Sequence, residues 1–340
     1  MITGDQPLTA TAIAERLGMI EPGHTGVKTG ADLEKLSPED YKTLVKETSV
    51  YARVSPDQKL NIVKTLQGNG EFVAMTGDGV NDAPSLKQSD IGIAMGITGT
   101  DVSKAAADMI LLDDNFATIV KAVKEGRRIY ENIRKFIRYV LSCNLAEILV
   151  IFTAPLLGFA IPLLPIQILW INLVTDGLPG LALVAEPEEK DIMNQPPRPP
   201  KENLFAGGLI AAILITGGIL AVAALFIQWW GIQQGYDVLT QHTMVFSTLC
   251  FVQLGNALSV RLAHRTIFTK SFYSNRSMWG AILLTIGLQL LIMYVPFLQP
   301  IFKTTGLNGK IMLMIGGVTL VSLLLIEFFK YVTNRKMKKD

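Results

Sequence analysis

The chain has 340 residues, of which 49% are hydrophobic and 18% are charged, and its mean hydropathy is +0.36. This composition is too apolar for an ordinary soluble protein and indicates membrane-spanning segments. The formal net charge is only +2 and no basic low-complexity tract occurs, so we expect no nucleic-acid partner. The first 20 residues have no continuous apolar core, which argues against a secretory signal peptide.

Short apolar strands alternate with helical segments from residue 1 to about residue 125. Strands are predicted at 50–54, 71–75, 91–94 and 109–112, and helices at 6–17 and 56–66. Ser55 is the predicted N-cap of the second helix, and Pro56 its first residue. This alternation favours an α/β fold with a doubly wound, mostly parallel sheet, of which residues 1–125 supply about half a domain.

The stretch Met75-Thr-Gly-Asp-Gly-Val-Asn-Asp-Ala-Pro84 follows one of these predicted strands. It places the oxygen-bearing side chains of Asp78, Asn81 and Asp82 in the loop after the strand, where open parallel sheets bind ligands. Mg2+ commonly works through one or two carboxylates together with phosphate oxygens. Any one of these residues is an ordinary turn former, but the whole run predicts a Mg2+-dependent phosphate site.

Six long apolar runs follow Arg127, each near the ~20 residues that cross a ~30 Å hydrocarbon core. They are predicted at about 136–157, 163–185, 205–230, 243–260, 277–297 and 310–329. Lys and Arg cluster before the first run, between the fourth and fifth, and after the sixth. This bias predicts a multi-pass membrane protein, with an all-α domain at 126–340 in the lipid and with the soluble part and the C-terminus in the cytoplasm.

Two acids lie far from either end of these runs, Glu147 and Asp176. An ionised side chain at mid-membrane costs ~2.5–3.5 kcal/mol on insertion scales, and no Lys or Arg lies deep within a predicted span. Asn144 shares a helix face with Glu147, and Asn172 and Thr175 share one with Asp176. Gly177-Leu-Pro-Gly180 would then loosen the helix and free backbone carbonyls. The side chains suit a Ca2+ cage, to which Gln253 would add an amide oxygen, although Gln253 and Asn256 are equally consistent with interhelical hydrogen bonding.

These two halves together resemble the P-type cation-transporting ATPases nearly end to end. In residues 1–125, the resemblance lies in Thr3-Gly-Asp5, Ser-Pro-Asp-Gln-Lys59, Thr76-Gly-Asp-Gly-Val-Asn-Asp82 and Asp113-Asp-Asn-Phe116. Three membrane-domain motifs look like calcium pumps of the sarcoplasmic-reticulum type: Ser142-Cys-Asn-Leu-Ala-Glu147, Trp170-Ile-Asn-Leu-Val-Thr-Asp-Gly-Leu-Pro179 and Asp191-Ile-Met-Asn-Gln-Pro-Pro-Arg-Pro-Pro200. Sodium/potassium pumps generally carry a further acid where Asn172 stands. The resemblance implies an incomplete haloacid-dehalogenase-like phosphorylation domain followed by a six-helix transmembrane bundle.

The resemblance also implies a role for each matching residue. Asp78 would bind Mg2+, Asn81 and Asp82 would organise that centre, and Lys59 would neutralise charge on the transferring phosphoryl group. Thr3, Gly4 and Asp5 would form part of the phosphate pocket and its hinge, and Thr76 and Gly77 would line the cofactor site. The transported cation would be held by Asn144, Glu147, Asn172, Thr175, Asp176 and Gln253. Gln253 stands where the sarcoplasmic-reticulum type has Glu, which weakens the case for a complete second Ca2+ site.

The phosphorylated Asp of the family's Asp-Lys-Thr-Gly motif does not occur in this sequence. We therefore expect a C-terminal portion of an ATP-driven Ca2+ exporter that is inactive alone, with ATP bound mainly by an N-terminal half. The expected partners are membrane lipid, the transported cation and that missing half. Two alternatives stay open: a stand-alone cation-binding or regulatory subunit that pairs with a separate N-terminal half, and a pump for Na+ or Mn2+.

Overall fold

The computed structural model describes residues 1–21, 26–188, 192–199, 202–262 and 274–337. Two of the ten residues of the predicted motif at 191–200, its first and its last, lie outside these ranges. The chain divides into two compact units, Met1–Val123 and Lys124–Asp340. The first unit contains every strand of the described residues, and the second is helical.

The first unit is an α/β unit, as predicted. Its helices are α1 (Pro7–Arg16), α2 (Gly30–Leu33), α3 (Pro38–Glu47), α4 (Pro56–Gly68), α5 (Ala83–Gln88) and α6 (Asp101–Ala106). Its strands are β1 (Val27–Thr29), β2 (Val50–Ala52), β3 (Ala74–Gly77), β4 (Ile91–Met95) and β5 (Met109–Leu111). All strand pairs are parallel, but the strands form two small sheets, β1-β2 and β3-β4-β5, and not one continuous sheet.

Local sequence signals explain where these elements begin. The Ser55 side chain accepts the Gln58 N–H, and the Gln58 side chain accepts the Ser55 N–H, which forms a capping box at the start of α4. The predicted N-cap is therefore correct. Strand β3 begins at Ala74, three residues later than predicted, and continues through Gly77 into the Thr-Gly-Asp motif. Its carboxyl end consequently presents Asp78 at the first position after the strand.

The second unit contains the membrane-spanning helices. Its helical segments are α7 (Phe116–Leu156, which begins within the first unit), α8 (Pro165–Trp170), a π-helical turn (Ile171–Thr175), α9 (Gly177–Val184), α10 (Leu209–Gln233), α11 (Val238–Arg261), α12 (Arg276–Tyr294), α13 (Gln299–Phe302) and α14 (Gly309–Met337). Six helices among the described residues are long and apolar enough to cross a membrane, with α8, the π turn and α9 counted as one. In the most apolar stretch of α11, 89% of the residues are buried, and α11 is therefore the central helix of the bundle.

The break predicted at Gly177–Gly180 lies one turn earlier in the structure. Residues Gly177 to Val184 are helical, and the irregular segment is the π turn, where the Asp176 N–H donates to the Ile171 carbonyl oxygen at 2.8 Å. A π turn inserts one extra residue and rotates the side chains that follow it. The Asn172 and Asp176 side chains therefore do not have the relative positions of a regular i, i+4 pair.

Candidate cation and phosphate sites

Glu147 is the point where three helical segments meet. Its carboxylate accepts hydrogen bonds from Asn172 Nδ2 at 3.2 Å and from Gln253 Nε2 at 3.0 Å. Glu147 lies on α7, Asn172 on the π turn and Gln253 on α11. Glu147 is 4% exposed and Gln253 is fully buried. Two amide donors thus stabilise a carboxylate that forms no ion pair with any described residue.

The Asp176 carboxylate has no comparable hydrogen-bond donors among the described residues. Asp176 is 4% exposed, and neither of its carboxylate oxygens has a hydrogen-bond partner within the described ranges. The Gln253 Oε1 and Asn256 Oδ1 atoms are also buried without a partner there. A buried polar group without a partner is costly and is usually explained by a ligand, an ion or water. Since these atoms are hydrogen-bond acceptors, the missing partner is a donor or a cation.

Pro179 and Tyr139 change the hydrogen bonding of the helix backbone next to Asp176. In a regular helix the Thr175 carbonyl oxygen would accept the N–H of residue 179, but Pro179 has none. The Tyr139 hydroxyl donates to this carbonyl oxygen instead, at 3.0 Å, and Tyr139 is fully buried. The Thr175 hydroxyl donates a hydrogen bond to Cys250 Sγ at 3.4 Å. The carbonyl oxygen and the hydroxyl of Thr175 therefore both have hydrogen-bond partners within the protein.

Hydrogen bonds join Glu147 to Asn172 and to Gln253, and Thr175 and Asp176 follow Asn172 within one helical turn. The side chain of Asn144 is half-buried and takes part in no hydrogen bond among the described residues. The sequence analysis did not identify Tyr139, Cys143 or Cys250 as neighbours of this site. Both thiols are free and buried; Cys250 accepts from Thr175, and Asn256 Nδ2 lies 4.0 Å from Cys143 Sγ. The Tyr139 hydroxyl contacts the Thr175 carbonyl oxygen 36 positions away, which Pro179 leaves without a backbone donor, so no local pattern could reveal the contact.

The segment after β3 contains two carboxylates, Asp78 and Asp82, that have different surroundings. Asp82 is 7% exposed; its Oδ1 accepts from Lys59 Nζ at 2.7 Å, and its Oδ2 accepts the Gly79 N–H at 3.2 Å. Asp78 is exposed, and no described residue donates a hydrogen bond to its carboxylate. Its backbone carbonyl is fixed by the Thr100 N–H and the Ser103 hydroxyl. Asp82 therefore positions Lys59, whereas the Asp78 carboxylate is available to a ligand.

Glycine is required at the last residue of β3. A Cβ atom at Gly77 would lie 2.5 Å from the Cβ atom of Asp82, so a larger residue would displace the carboxylate that holds Lys59. Thr76 and Gly77 end β3 beside this loop. The Asn81 side chain is exposed on the following 3-10 turn, Val80–Asp82.

Thr3, Gly4 and Asp5 lie beside β2 of the other sheet. The Thr3 N–H donates to the Tyr51 carbonyl oxygen at 2.9 Å, and the Thr3 hydroxyl accepts the Asp5 N–H at 3.1 Å. No described hydrogen bond or ion pair joins this segment to Thr76–Asp82. The structure therefore places Asp78 and Asp82 in the loop after β3, pairs Asp82 with Lys59 of α4, and places residues 3–5 beside β2.

Asp114 connects the loop after β4 to the start of α7. Its carboxylate accepts the N–H groups of Gly96, Ile97 and Thr98 at 2.6, 3.0 and 2.8 Å, and also the Thr98 hydroxyl. These donors, the Ile97 N–H foremost, lower the pKa of Asp114 to about 2. The Asp-Asp-Asn-Phe motif therefore has a structural role in addition to its position before the first span.

Two protein families match this chain. Residues 160–332 match the family of cation transporting ATPases, in its C-terminal part, and residues 1–90 match the haloacid dehalogenase-like hydrolases. A calcium-transporting ATPase of Bacillus subtilis is 48% identical over 96% of this chain and 36% of its own length. The human calcium-transporting ATPase type 2C member 1 is 41% identical over 99% of this chain and 37% of its own length.

A third relative, the probable cation-transporting ATPase F of Mycobacterium bovis, is 42% identical over 94% of this chain. The chain spans about 36% of the length of the relatives it matches. The family match in the membrane half, the haloacid dehalogenase-like match in the first unit and the six apolar helices agree with one another. The resemblance to P-type pumps is thereby confirmed: the chain is a multi-pass membrane protein that belongs to the cation-transporting P-type ATPase family.

Proposed function

We propose that this chain supplies the membrane cation site and part of the phosphorylation site of an ATP-driven pump for Ca2+. The observation that carries the proposal is the buried pair of acids, Glu147 and Asp176, with unpaired acceptor oxygens around them. The names of the Bacillus subtilis and human relatives support Ca2+ as the cargo. The pump would cycle through an aspartyl phosphate, with its soluble part and C-terminus in the cytoplasm.

The donor set fits Ca2+. Glu147 and Asp176 offer up to about four carboxylate oxygens, and Asn172 and Gln253 about one amide oxygen each, close to the six to eight that Ca2+ takes. Gln253 now donates its amide N–H to Glu147, so rotation of the amide would turn Oε1 toward a cation and remove the unpaired acceptor. His, Cys, Asp and Glu do not form a cluster of three among the described residues, which disfavours a transition metal.

The loop after β3 fits Mg2+ and a phosphoryl group. Mg2+ binds through one or two carboxylates and keeps water and phosphate oxygens as its other ligands, and an exposed, unpaired Asp78 suits that role. Bound there, the ion would neutralise charge on the phosphoryl group. Lys59, held by Asp82 at 2.7 Å, would place a second positive charge on the same group. Asn81 would help to organise the loop, and ATP would be bound mainly outside this chain.

The cation site is tested by 45Ca2+ binding to the purified chain in detergent. Glu147→Gln and Asp176→Asn should each weaken binding at least tenfold, because each removes a charge from a buried cage. Asp237→Asn is the matched control: it removes an acid that caps α11, and Asn caps helices equally well. Equal Ca2+ affinity in wild type and both site variants would overturn the assignment. Competition by Na+ and Mn2+ in the same assay tests the choice of ion.

The phosphorylation role needs a second experiment. This chain would replace the matching segment of the Bacillus subtilis relative, and Ca2+-dependent phosphoenzyme would be measured with [γ-32P]ATP. Lys59→Ala should abolish the phosphoenzyme without affecting 45Ca2+ binding, whereas Lys64→Ala, an exposed lysine on the same helix, should change neither. Phosphoenzyme levels unaltered by Lys59→Ala would contradict the role given to Lys59.

A further inference from the structure

A basic cavity lies in the second unit, away from the cation site. It has a volume of roughly 290 Å³ and lies where α10 begins, α11 ends and the last turns of α14 meet α7. Its charged lining consists of Arg134, Lys135, Arg138, Lys330 and one acid, Glu131. Glu131 forms an ion pair with Arg198, and basic side chains outnumber acidic ones in the lining.

Arg138 gives this cavity an unused donor. Its Nε atom is buried and has no hydrogen-bond partner among the described residues. A guanidinium stays charged in proteins and acts only as a donor, so its missing partner is an acceptor. Lys330 differs, because it is paired with Glu327 and donates to the Ser259 carbonyl oxygen at 2.9 Å. The unused hydrogen-bond donor of the cavity is thus the Arg138 Nε atom, on the α7 side.

The first turn of α10 adds further donors at the same place. Its N-cap is Gly208, which has φ 77° and no side chain to accept the first N–H groups of the helix. Gly207, with φ 70°, precedes it, and a Cβ atom there would lie 3.3 Å from Arg134 Nη2. The start of a long helix attracts anions through its free N–H groups and its dipole. Arg134, Arg138 and this helix end therefore favour the same kind of ligand.

The other walls of the cavity are apolar. Leu209 and Ile215 on α10 and Phe329 on α14 line it, and Ile215 and Phe329 are 39% and 42% exposed. Basic pockets between transmembrane helices, near the end of the bundle, suit the head groups of anionic lipids. We propose that this cavity binds an anionic phospholipid, whose phosphate contacts Arg134, Arg138 and the start of α10 and whose acyl chains lie along Ile215 and Phe329.

Native mass spectrometry of the purified chain tests the proposal. The chain would be incubated with equimolar phosphatidylglycerol and phosphatidylcholine, and bound lipid would be counted. Wild type should retain phosphatidylglycerol preferentially, and the double variant Arg134→Gln/Arg138→Gln should bind it about tenfold or more weakly, since each basic residue contributes at the lipid surface. Arg276→Gln is the matched control: it removes an exposed arginine at the start of α12 that does not line the cavity.

Three results would overturn the proposal. Equal retention of the two lipids would exclude a site for anionic head groups. Loss of phosphatidylglycerol to the same extent in Arg276→Gln would indicate a general surface effect. Inorganic phosphate that displaces phosphatidylglycerol at equal concentration would assign the cavity to a soluble anion. If the double variant does not elute as wild type does in size-exclusion chromatography, Arg134→Gln alone must show the loss, because Arg134 is only half-buried.

Discussion

Glu147 Oε1 and Gln253 Nε2 lie 3.0 Å apart and join α7 to α11 at the centre of the membrane bundle. The amide stabilises a buried carboxylate while its own oxygen stays unpaired. A carboxylate in place of this amide would face Glu147 directly. Gln253 thus limits the negative charge of the cage to two acids.

We therefore expect Gln253→Glu to make the chain less stable without Ca2+ and more strongly stabilised by it. Two facing carboxylates repel each other in a buried site, and a divalent cation removes the repulsion. Thermal unfolding of the purified chain with EGTA and with Ca2+ measures the difference. Gln228→Glu is the control, because Gln228 is also buried and also has an unpaired Oε1, but its Nε2 donates to Ala160. A Ca2+-induced shift no larger than in that control would contradict the prediction.

Tyr139→Phe should lower Ca2+ affinity although Tyr139 contributes no ligand. The change leaves the Thr175 carbonyl oxygen buried without a donor, at a cost of about 1–3 kcal/mol, and frees the helix beside Asp176 to shift. 45Ca2+ binding and thermal unfolding of the purified chain measure the two effects. Tyr294→Phe removes a similar bond, from the Tyr294 hydroxyl to the Leu307 carbonyl oxygen, and should reduce stability alone. Equal Ca2+ affinity in both variants would show that the Tyr139 bond is only structural.

The α/β class of the first unit and the six apolar helices follow from local signals. Ser55, Gln58 and Pro56 specify the start of α4 within four residues, and apolar runs of about twenty residues specify the spans. The cation site depends on contacts between residues that are too far apart in the sequence for any short segment to contain both. Glu147 and Gln253 are 106 positions apart, and Glu147 and Asn172 of the π turn are 25 positions apart. Composition predicts that acids in the membrane need partners, but only the fold identifies those partners.

Asp114→Asn should loosen the segment Gly96–Thr98. The folded-state pKa of Asp114 is about 2, below the ordinary value of 3.8, because backbone N–H groups hold the carboxylate. Its stabilising effect is therefore complete above about pH 4 and is lost as the pH falls toward 2. Hydrogen–deuterium exchange at Gly96–Thr98, corrected for the intrinsic rate, should rise in the variant at pH 6 and in wild type only near pH 2–3.

Asp113→Asn is the neighbouring control. Asp113 accepts from the Asn115 N–H and the Thr118 hydroxyl, so its loss should affect the start of α7 and leave Gly96–Thr98 protected. Equal exchange at Gly96–Thr98 in both variants would mean that the Asp114 carboxylate does not hold this loop.

Glu186 forms a buried ion pair with Arg261 that links the end of α9 to the end of α11. Arg261 Nε donates to Glu186 Oε1 at 2.7 Å, and Asn275 Nδ2 donates to Glu186 Oε2 at 2.6 Å. The side chains of Arg261 and Glu186 are 0% and 5% exposed. Removal of one partner from a buried pair leaves an uncompensated charge, which typically costs about 3–5 kcal/mol.

Glu186→Gln should therefore lower the unfolding temperature of the chain far more than Glu188→Gln. Glu188 pairs with Lys124 at the same 2.7 Å, but both side chains are about 40% exposed, and such pairs contribute about 0–1 kcal/mol. The double variant Glu186→Gln/Arg261→Gln should recover part of the loss, because it also removes the charge that Glu186 stabilises. Thermal unfolding in detergent measures these three variants and Arg261→Gln alone. If Arg261→Gln lowers the unfolding temperature of the Glu186→Gln variant as much as it lowers that of wild type, the two side chains act independently.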